Sequence, residues 1–179
     1  MTSLSNNNYR SPLEFISLLH EDVYSLNKAD IPKSKKLEKM GALMKENIDF
    51  QTVVKFVLGN KIKLLSPEEV QSFTKYYEDT VSKKYAKLLT TELKSYKATR
   101  QEDLSKERYL VHTILEKDGS SAGSTLKIAY LIIGKNSDYK IIDAIISGGI
   151  SMAMADREEI ATFLERNTLR QFKKKFMED

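Results

Sequence analysis

The sequence predicts an α+β fold in which helices pack on one antiparallel sheet, and three observations carry that reading. Apolar residues recur at helical spacing through the first half of the chain. From about Ser95 the period drops to two and stays there as far as Gly148. Beyond Gly148-Gly149 the helical period returns. Helices, then a meander, then a closing helix supply apolar surface enough to cover a four-stranded sheet.

The first ten residues are polar and are expected to form a flexible segment ahead of a single domain at 11–179. Ser11-Pro12-Leu13-Glu14 joins a cap residue, a proline at the first helical position and a glutamate at the third, so a helix starts there. Phe15, Ile16, Leu19, Val23 and Leu26 form its stripe. A second helix runs from Lys33 to about Asn47, with Leu37, Met40, Leu43 and Met44 inward. Asp49 caps a third, which carries Phe50, Val53, Val54, Val57 and Leu58 and stops at Gly59-Asn60. Ser66-Pro67-Glu68-Glu69 repeats the capping pattern and opens a fourth helix to about Leu89, with Val70, Phe73, Tyr77, Val81, Tyr85 and Leu88 down one face.

Four strands follow, at 95–102, 108–117, 124–134 and 139–148, with turns at Lys117-Asp118-Gly119 and from Gly134 to Asp138. The last helix is capped by Asp156 with Glu159, and its Ile160, Phe163, Leu164, Leu169, Phe172 and Phe176 face inward. In the third strand Ile128, Tyr130 and Ile132 point one way and Ala129, Leu131 and Ile133 the other, so neither face is polar. A hairpin with one face in water alternates apolar with polar. Either helices cover both faces, or one face lines something that is not protein.

The formal net charge of +4 comes from 29 Lys and Arg interspersed with 25 Asp and Glu, which describes a solvated surface better than a nucleic-acid footprint. The absence of cysteine removes disulfides, thiolate catalysis and cysteine-ligated zinc. The start, "MTSLSNNNYRSPLEF", lacks the basic opening and apolar core of a secretory signal, and no run nears the roughly 20 apolar residues of a membrane span. Read literally the chain is cytosolic, or it is a mature form behind a new Met1.

Few residues suggest catalysis. His20, in "LLHEDV", is expected on the polar face or flank of the first helix. His112 in "RYLVHTILE" and Asp143 in "KIIDAII" would form an acid–base pair if the register set them together, which leaves open a cone-shaped α+β enzyme. The alternative role for Asp143 is structural, holding its strand against a nearby loop. No metal set is visible, since Glu21-Asp22 and Glu158-Glu159 read as helix-start charges. Gly148-Gly149 has no phosphate-loop spacing and lets the chain bend out of the sheet. Lys173-Lys174-Lys175 either complements the negative end of the last helix or docks an acidic partner, as a ligand-free interaction module would. The apolar surface on offer is more than one sheet layer needs, and it serves either a well-packed core or a cavity for acyl chains, at about 0.8 kcal/mol per buried methylene.

The segment "ENIDFQTVVKFVLGNKIKLLSPEEVQSFTKYYEDTVSKKYAKLL", residues 46–89, resembles the MlaC family of periplasmic phospholipid-binding proteins, also called the toluene-tolerance auxiliary family. It supplies Asp49, Phe56, Leu58-Gly59, Ser66-Pro67-Glu68, Phe73, Tyr77 and Tyr85-Ala86 in the family's order, and "YKIIDAIISGGISMAMADREEIATFL" is similar to the family's W-x-[IV]-x-D-V-x-x-x-G-[IV]-S pattern followed by a helix. Two departures stand out: "NKIK" replaces an aromatic after Leu58-Gly59, and "DAIISGGIS" is one residue longer than usual. The resemblance runs from about Phe15 to Phe176.

It implies N-terminal helices, a curved four-stranded antiparallel sheet and a C-terminal helix enclosing an apolar cavity for phospholipid tails. It also implies a non-enzymatic, cofactor-free monomer that carries a glycerophospholipid through the periplasm of a Gram-negative cell, between an outer-membrane lipoprotein complex and an inner-membrane ABC transporter, in upkeep of outer-membrane lipid asymmetry. No nucleic acid takes part. The wall is then expected from Phe56 and Val57 on the third helix and from Phe73, Tyr77, Val81 and Tyr85 on the fourth. The sheet is expected to add Ile128, Tyr130, Ile132, Ile142 and Ile145, and the chain beyond it Ile150, Met152 and Phe163.

Overall fold

A computed structural model of the chain describes residues 9–90, 93–117 and 125–177. Residues 1–8, the turn expected at Asp118-Gly119 and Ser124 lie outside them. Four helices come first: α1 (Pro12–Lys28), α2 (Lys33–Asn47), α3 (Phe50–Leu58) and α4 (Pro67–Leu89), with a 3₁₀ turn at Gly59–Leu64. The sheet comprises β1 (Leu93–Ser105), β2 (Arg108–Lys117), β3 (Thr125–Lys135), β4 (Asp138–Ile146) and β5 (Ile150–Ser151), and α5 (Met152–Arg166) and α6 (Leu169–Phe176) close the chain.

The helix starts follow from their caps. Ser11 Oγ accepts the Glu14 N–H at 3.1 Å, and Asp49 takes both the N–H and the hydroxyl of Thr52, at 3.0 and 2.7 Å. Ser66 and Glu69 form a reciprocal capping box, at 3.2 and 2.8 Å. Two donors at the start of α4 are thereby satisfied, one in each direction, which fixes its first turn.

The strands lie in the order β1-β2-β3-β4-β5, every neighbouring pair antiparallel. Val111, Thr113 and Leu115 of β2, Ile128, Tyr130 and Ile132 of β3, and Ile141 and Ala144 of β4 are buried on the face that meets the helices. Ala129, Leu131 and Ile133 on the other face are half-buried. Between β3 and β4 the register slips: Leu131 lies opposite Asp143 but Ile132 lies opposite Ile141. Ile142 is thus an extra residue, a bulge that reverses the parity of the rest of β4. The β3–β4 turn needs Gly134, because a Cβ there would sit 1.9 Å from the Asp138 carbonyl oxygen.

Two expectations are corrected at the C-terminal end. The fourth strand stops at Ile146, and Gly148-Gly149, both at positive φ, fold the chain back so that Ile150 and Ser151 pair with Ile146 and Ile145 as a fifth, two-residue strand. The closing helix is two helices, and its cap is Ser151, whose hydroxyl accepts the Met154 N–H at 3.0 Å, not Asp156. The break falls at Asn167-Thr168, where Thr168 and Gln171 form a second capping box and restart the chain as α6.

The buried apolar residues fall into two cores. One joins α1, α2 and the C-terminal end of α4 to the helix-facing side of the sheet. The other joins α3, the body of α4, α5 and α6, and holds the stacked rings of Phe73 and Phe172, 5.7 Å apart. Ile48 and Tyr85 pack against both. A hydrogen bond from the Asp49 N–H to the Ile141 carbonyl, 3.0 Å, ties the α2–α3 joint to β4 at this seam.

Candidate functional site

The seam between the two cores is hollow. Leu19, His20 and Val23 of α1, Met44 of α2, Phe50 and Val53 of α3, and Tyr77, Val81, Tyr85, Leu88 and Leu89 of α4 form its helical wall. Ile128 and Tyr130 of β3, the bulged stretch Ile141 to Ala144, Ile146, Met152 and Ala153 form the rest, with Ile48 at the joint. Space for the centre of a water molecule amounts to about 50 Å³, and the whole hollow between atom surfaces, counted out through its mouth, to about 770 Å³. Its lining is overwhelmingly apolar, the usual character of a small-molecule pocket.

The polar groups in this wall are few and mostly engaged. Asp143 accepts the N–H groups of Ala144 and Ala153, at 2.8 and 3.0 Å, and the Ser151 hydroxyl. It therefore pins the end of β4 to the start of α5. The Tyr77 hydroxyl donates to Asp156 at 2.6 Å; burial first, and then the nearby Asp156 charge, drive its phenol far up from its ordinary value. Burial likewise raises the phenols of Tyr85 and Tyr130. Burial alone lowers His20 to about 4, so its imidazole is neutral at neutral pH.

His20 is 3% exposed, its Nε2 lies 3.1 Å from the Tyr130 hydroxyl, and the two rings meet edge to face. Its Nδ1 is buried with no hydrogen-bond partner among the described residues. The expectation of a polar-face histidine is thus corrected. The signal was in the spacing, because His20 stands four residues after Ile16 and three before Val23, inside the buried stripe of α1.

Of the wall residues expected from sequence, the hollow brings together Tyr77, Val81, Tyr85, Ile128, Tyr130, Ile142 and Met152. The others lie elsewhere. Val57, Phe73 and Phe163 pack in the second core, and Ile132 is buried in the first. Ile145 lies opposite Ala129 on the far face, because the Ile142 bulge reverses the strand's parity before it. Phe56 falls off the buried stripe of α3 and is 40% exposed, with the Arg157 guanidinium 5.0 Å over its ring. Ile150, in the outermost strand, is 59% exposed. Leu19, Val23, Met44, Phe50 and Val53 are wall residues that the sequence reading assigned to core alone.

The acid–base pair does not form. His112 Nε2 sits 2.7 Å from Glu102 and 3.2 Å from Arg100 across the β1–β2 ladder, between the inward-facing Val111 and Thr113. Asp143 is committed to Ser151 and Ala153. Within the basic run, Lys173 pairs with Glu69 at 2.5 Å and Lys175 lies over the rings of Phe163 and Phe176, at 4.6 and 4.8 Å. Among the described residues no three His, Asp or Glu converge as a metal set would, and no helix is long and apolar enough to cross a membrane.

Helices laid on one face of an antiparallel sheet, with an apolar hollow between two cores, define an α+β domain built around an interior pocket. The family model described as MlaC protein matches residues 20–177, and the chain belongs to the MlaC family. Among solved structures, a phospholipid-binding protein from Ralstonia solanacearum, in complex with a phospholipid, is similar in fold, with a TM-score of 0.70. The two are 14% identical over 84% of this chain and 86% of that one, so the likeness is one of fold. No curated protein matches the sequence.

Proposed function

We propose that this chain is a phospholipid carrier of the periplasm, which shelters acyl chains in the hollow between its cores and makes or breaks no bond. The observation that carries the reading is the apolar hollow itself, in a chain of the MlaC family. Each methylene withdrawn from water contributes about 0.8 kcal/mol, so one acyl chain offers on the order of 10 kcal/mol against the cost of association. The polar headgroup stays at the mouth, where water solvates it. Transfer between an outer-membrane lipoprotein complex and an inner-membrane ABC transporter would then follow relative affinity, in keeping with outer-membrane lipid asymmetry.

The wall is tested with Leu88 and Met152, which line the hollow and are only half-buried. Delipidated protein mixed with phospholipid vesicles is re-isolated, extracted with organic solvent and assayed by mass spectrometry. The parent is expected to carry phospholipid and the double variant Leu88→Asp/Met152→Asp, folded by circular dichroism, to carry at least tenfold less, since each carboxylate would be buried against hydrocarbon. Equal loading of the two, or a parent that carries none, would overturn the reading.

A further inference from the structure

The His20–Tyr130 pair has a proton to spare. A neutral imidazole carries one N–H and a phenol one O–H, and the single contact between Nε2 and the hydroxyl, 3.1 Å, uses one of the two. If Tyr130 donates to Nε2, the ring's proton is on Nδ1, which is buried and unpartnered. If Nε2 donates to Tyr130 instead, the phenol's own proton is the one left over. In either tautomer one donor of this pair, whose two residues both line the hollow, has no acceptor among the described residues. The lining of that hollow is overwhelmingly apolar, with Leu19, Val23, Met44 and Ile128 among its side chains.

An unsatisfied buried donor is costly, and native proteins seldom keep one without a use. What it lacks is an oxygen acceptor that can reach it through hydrocarbon. Water would need further polar partners that this stretch of wall does not supply. The carbonyl of an acyl group fits, because it arrives attached to the apolar chain that the surrounding wall accommodates. We propose that His20 and Tyr130 form an internal polar station that donates a hydrogen bond to the carbonyl oxygen of a bound acyl group, a proposal that rests on the lipid-carrier reading above. The pair thereby sets how far along its chain a guest is seated, and favours acyl over alkyl chains. Burial supports it by holding the imidazole neutral, so an uncharged ester is the acceptor that costs least to bring in.

The same carbonyl chemistry comes from two sources, the ester of a phospholipid and the carboxyl of a free fatty acid, and three probes separate them. Delipidated parent is offered a diacyl phospholipid, its dialkyl ether analogue of equal chain length and headgroup, and the corresponding free fatty acid. The double variant His20→Phe/Tyr130→Phe, which keeps an aromatic ring at both positions and removes both polar groups, is offered the same set, with His20→Leu/Tyr130→Phe as a second variant, also lacking both donors, should the first fail to fold. The parent is expected to prefer the diester over the diether about three- to tenfold, the worth of one net hydrogen bond, and the variants to lose that preference while still binding the diether. A preference seen only for the fatty acid, and lost in the variants, would keep the station and assign it to the carboxyl. A parent that binds diester and diether alike with no response of fatty-acid binding to the variants, or variants that keep the parent's preference, would overturn the station and leave the carrier reading intact. A parent that binds no lipid fells both.

Discussion

His20 shows how much one side chain's burial changes its chemistry. An imidazole of ordinary pKa 6.5 is lowered to about 4, with desolvation as the cause. The sign follows from proton counting: between these values the unfolded chain binds a proton at His20 that the native protein does not, so stability falls as the pH drops. Acidification from neutrality to about pH 4.5 should cost about 2–3 kcal/mol through this group. Urea unfolding across that range is expected to give His20→Phe a shallower loss than the parent, and parallel curves would refute the assignment. Position 20 was legible as lying on the buried stripe, but the polar character of the residue argued against its own spacing. Spacing won because Tyr130, contributed by a strand more than a hundred residues away, offers the partner that makes burial tolerable. No local pattern announces such a partner.

The helices were readable because their signals are local. Ser11, Asp49 and Ser66 each stand three residues before the N–H they accept, and each caps the helix the sequence assigned to it. The same logic placed the last cap wrongly. Asp156 with Glu159 imitates a capping box, yet Ser151, coming straight out of the sheet, had already opened the helix and left Asp156 to receive the Tyr77 hydroxyl. The split of the closing segment was also written in the sequence, since the inward stripe steps five positions from Leu164 to Leu169 and there changes phase. The bulge at Ile142 was not. It depends on how β4 meets both β3 and the first turn of α5, and Asp143 fastens that junction through the Ser151 hydroxyl and the Ala153 N–H. Asp143→Ala should therefore destabilise the protein by about 2–3 kcal/mol, with Asp143→Asn milder because it keeps one acceptor. A denaturant midpoint unchanged in Asp143→Ala would remove the junction from the account of this strand.

The pocket emerges only when the two cores are considered together, which is why its wall was half legible. Apolar stripes mark what is buried, and the same leucines and valines serve a packed core or an unfilled one. The excess of apolar surface pointed to a hollow, while its place was decided by the meeting of α1 and α4 over the inner face of β3 and β4. Phe73 of the fourth helix and Phe163 of the closing segment, both expected in the wall, went to the second core, where Phe172 and Phe176 of α6 complete their packing. Filling the hollow from the protein's own side should trade one property for another. Ala144 lines it from β4, opposite Tyr130 on the sheet, and Ala144→Val adds two methyl groups with good strand propensity. The variant is expected to be about 0.5–2 kcal/mol more stable, as cavity-filling changes commonly are, and to hold less phospholipid. A gain in melting temperature with undiminished lipid uptake would separate the hollow from the function.

Among the described residues Ile48 and Tyr85 are the half-buried side chains packed against both cores, so across the hollow itself few side chains meet, and α4 and the Asp143 junction carry the rest of the connection. A guest lying along that line would act as mortar between two courses of brick. On the carrier reading proposed above, the loaded molecule would resist heat better than the empty one, and delivery to a recipient would consist of giving up part of its own cohesion.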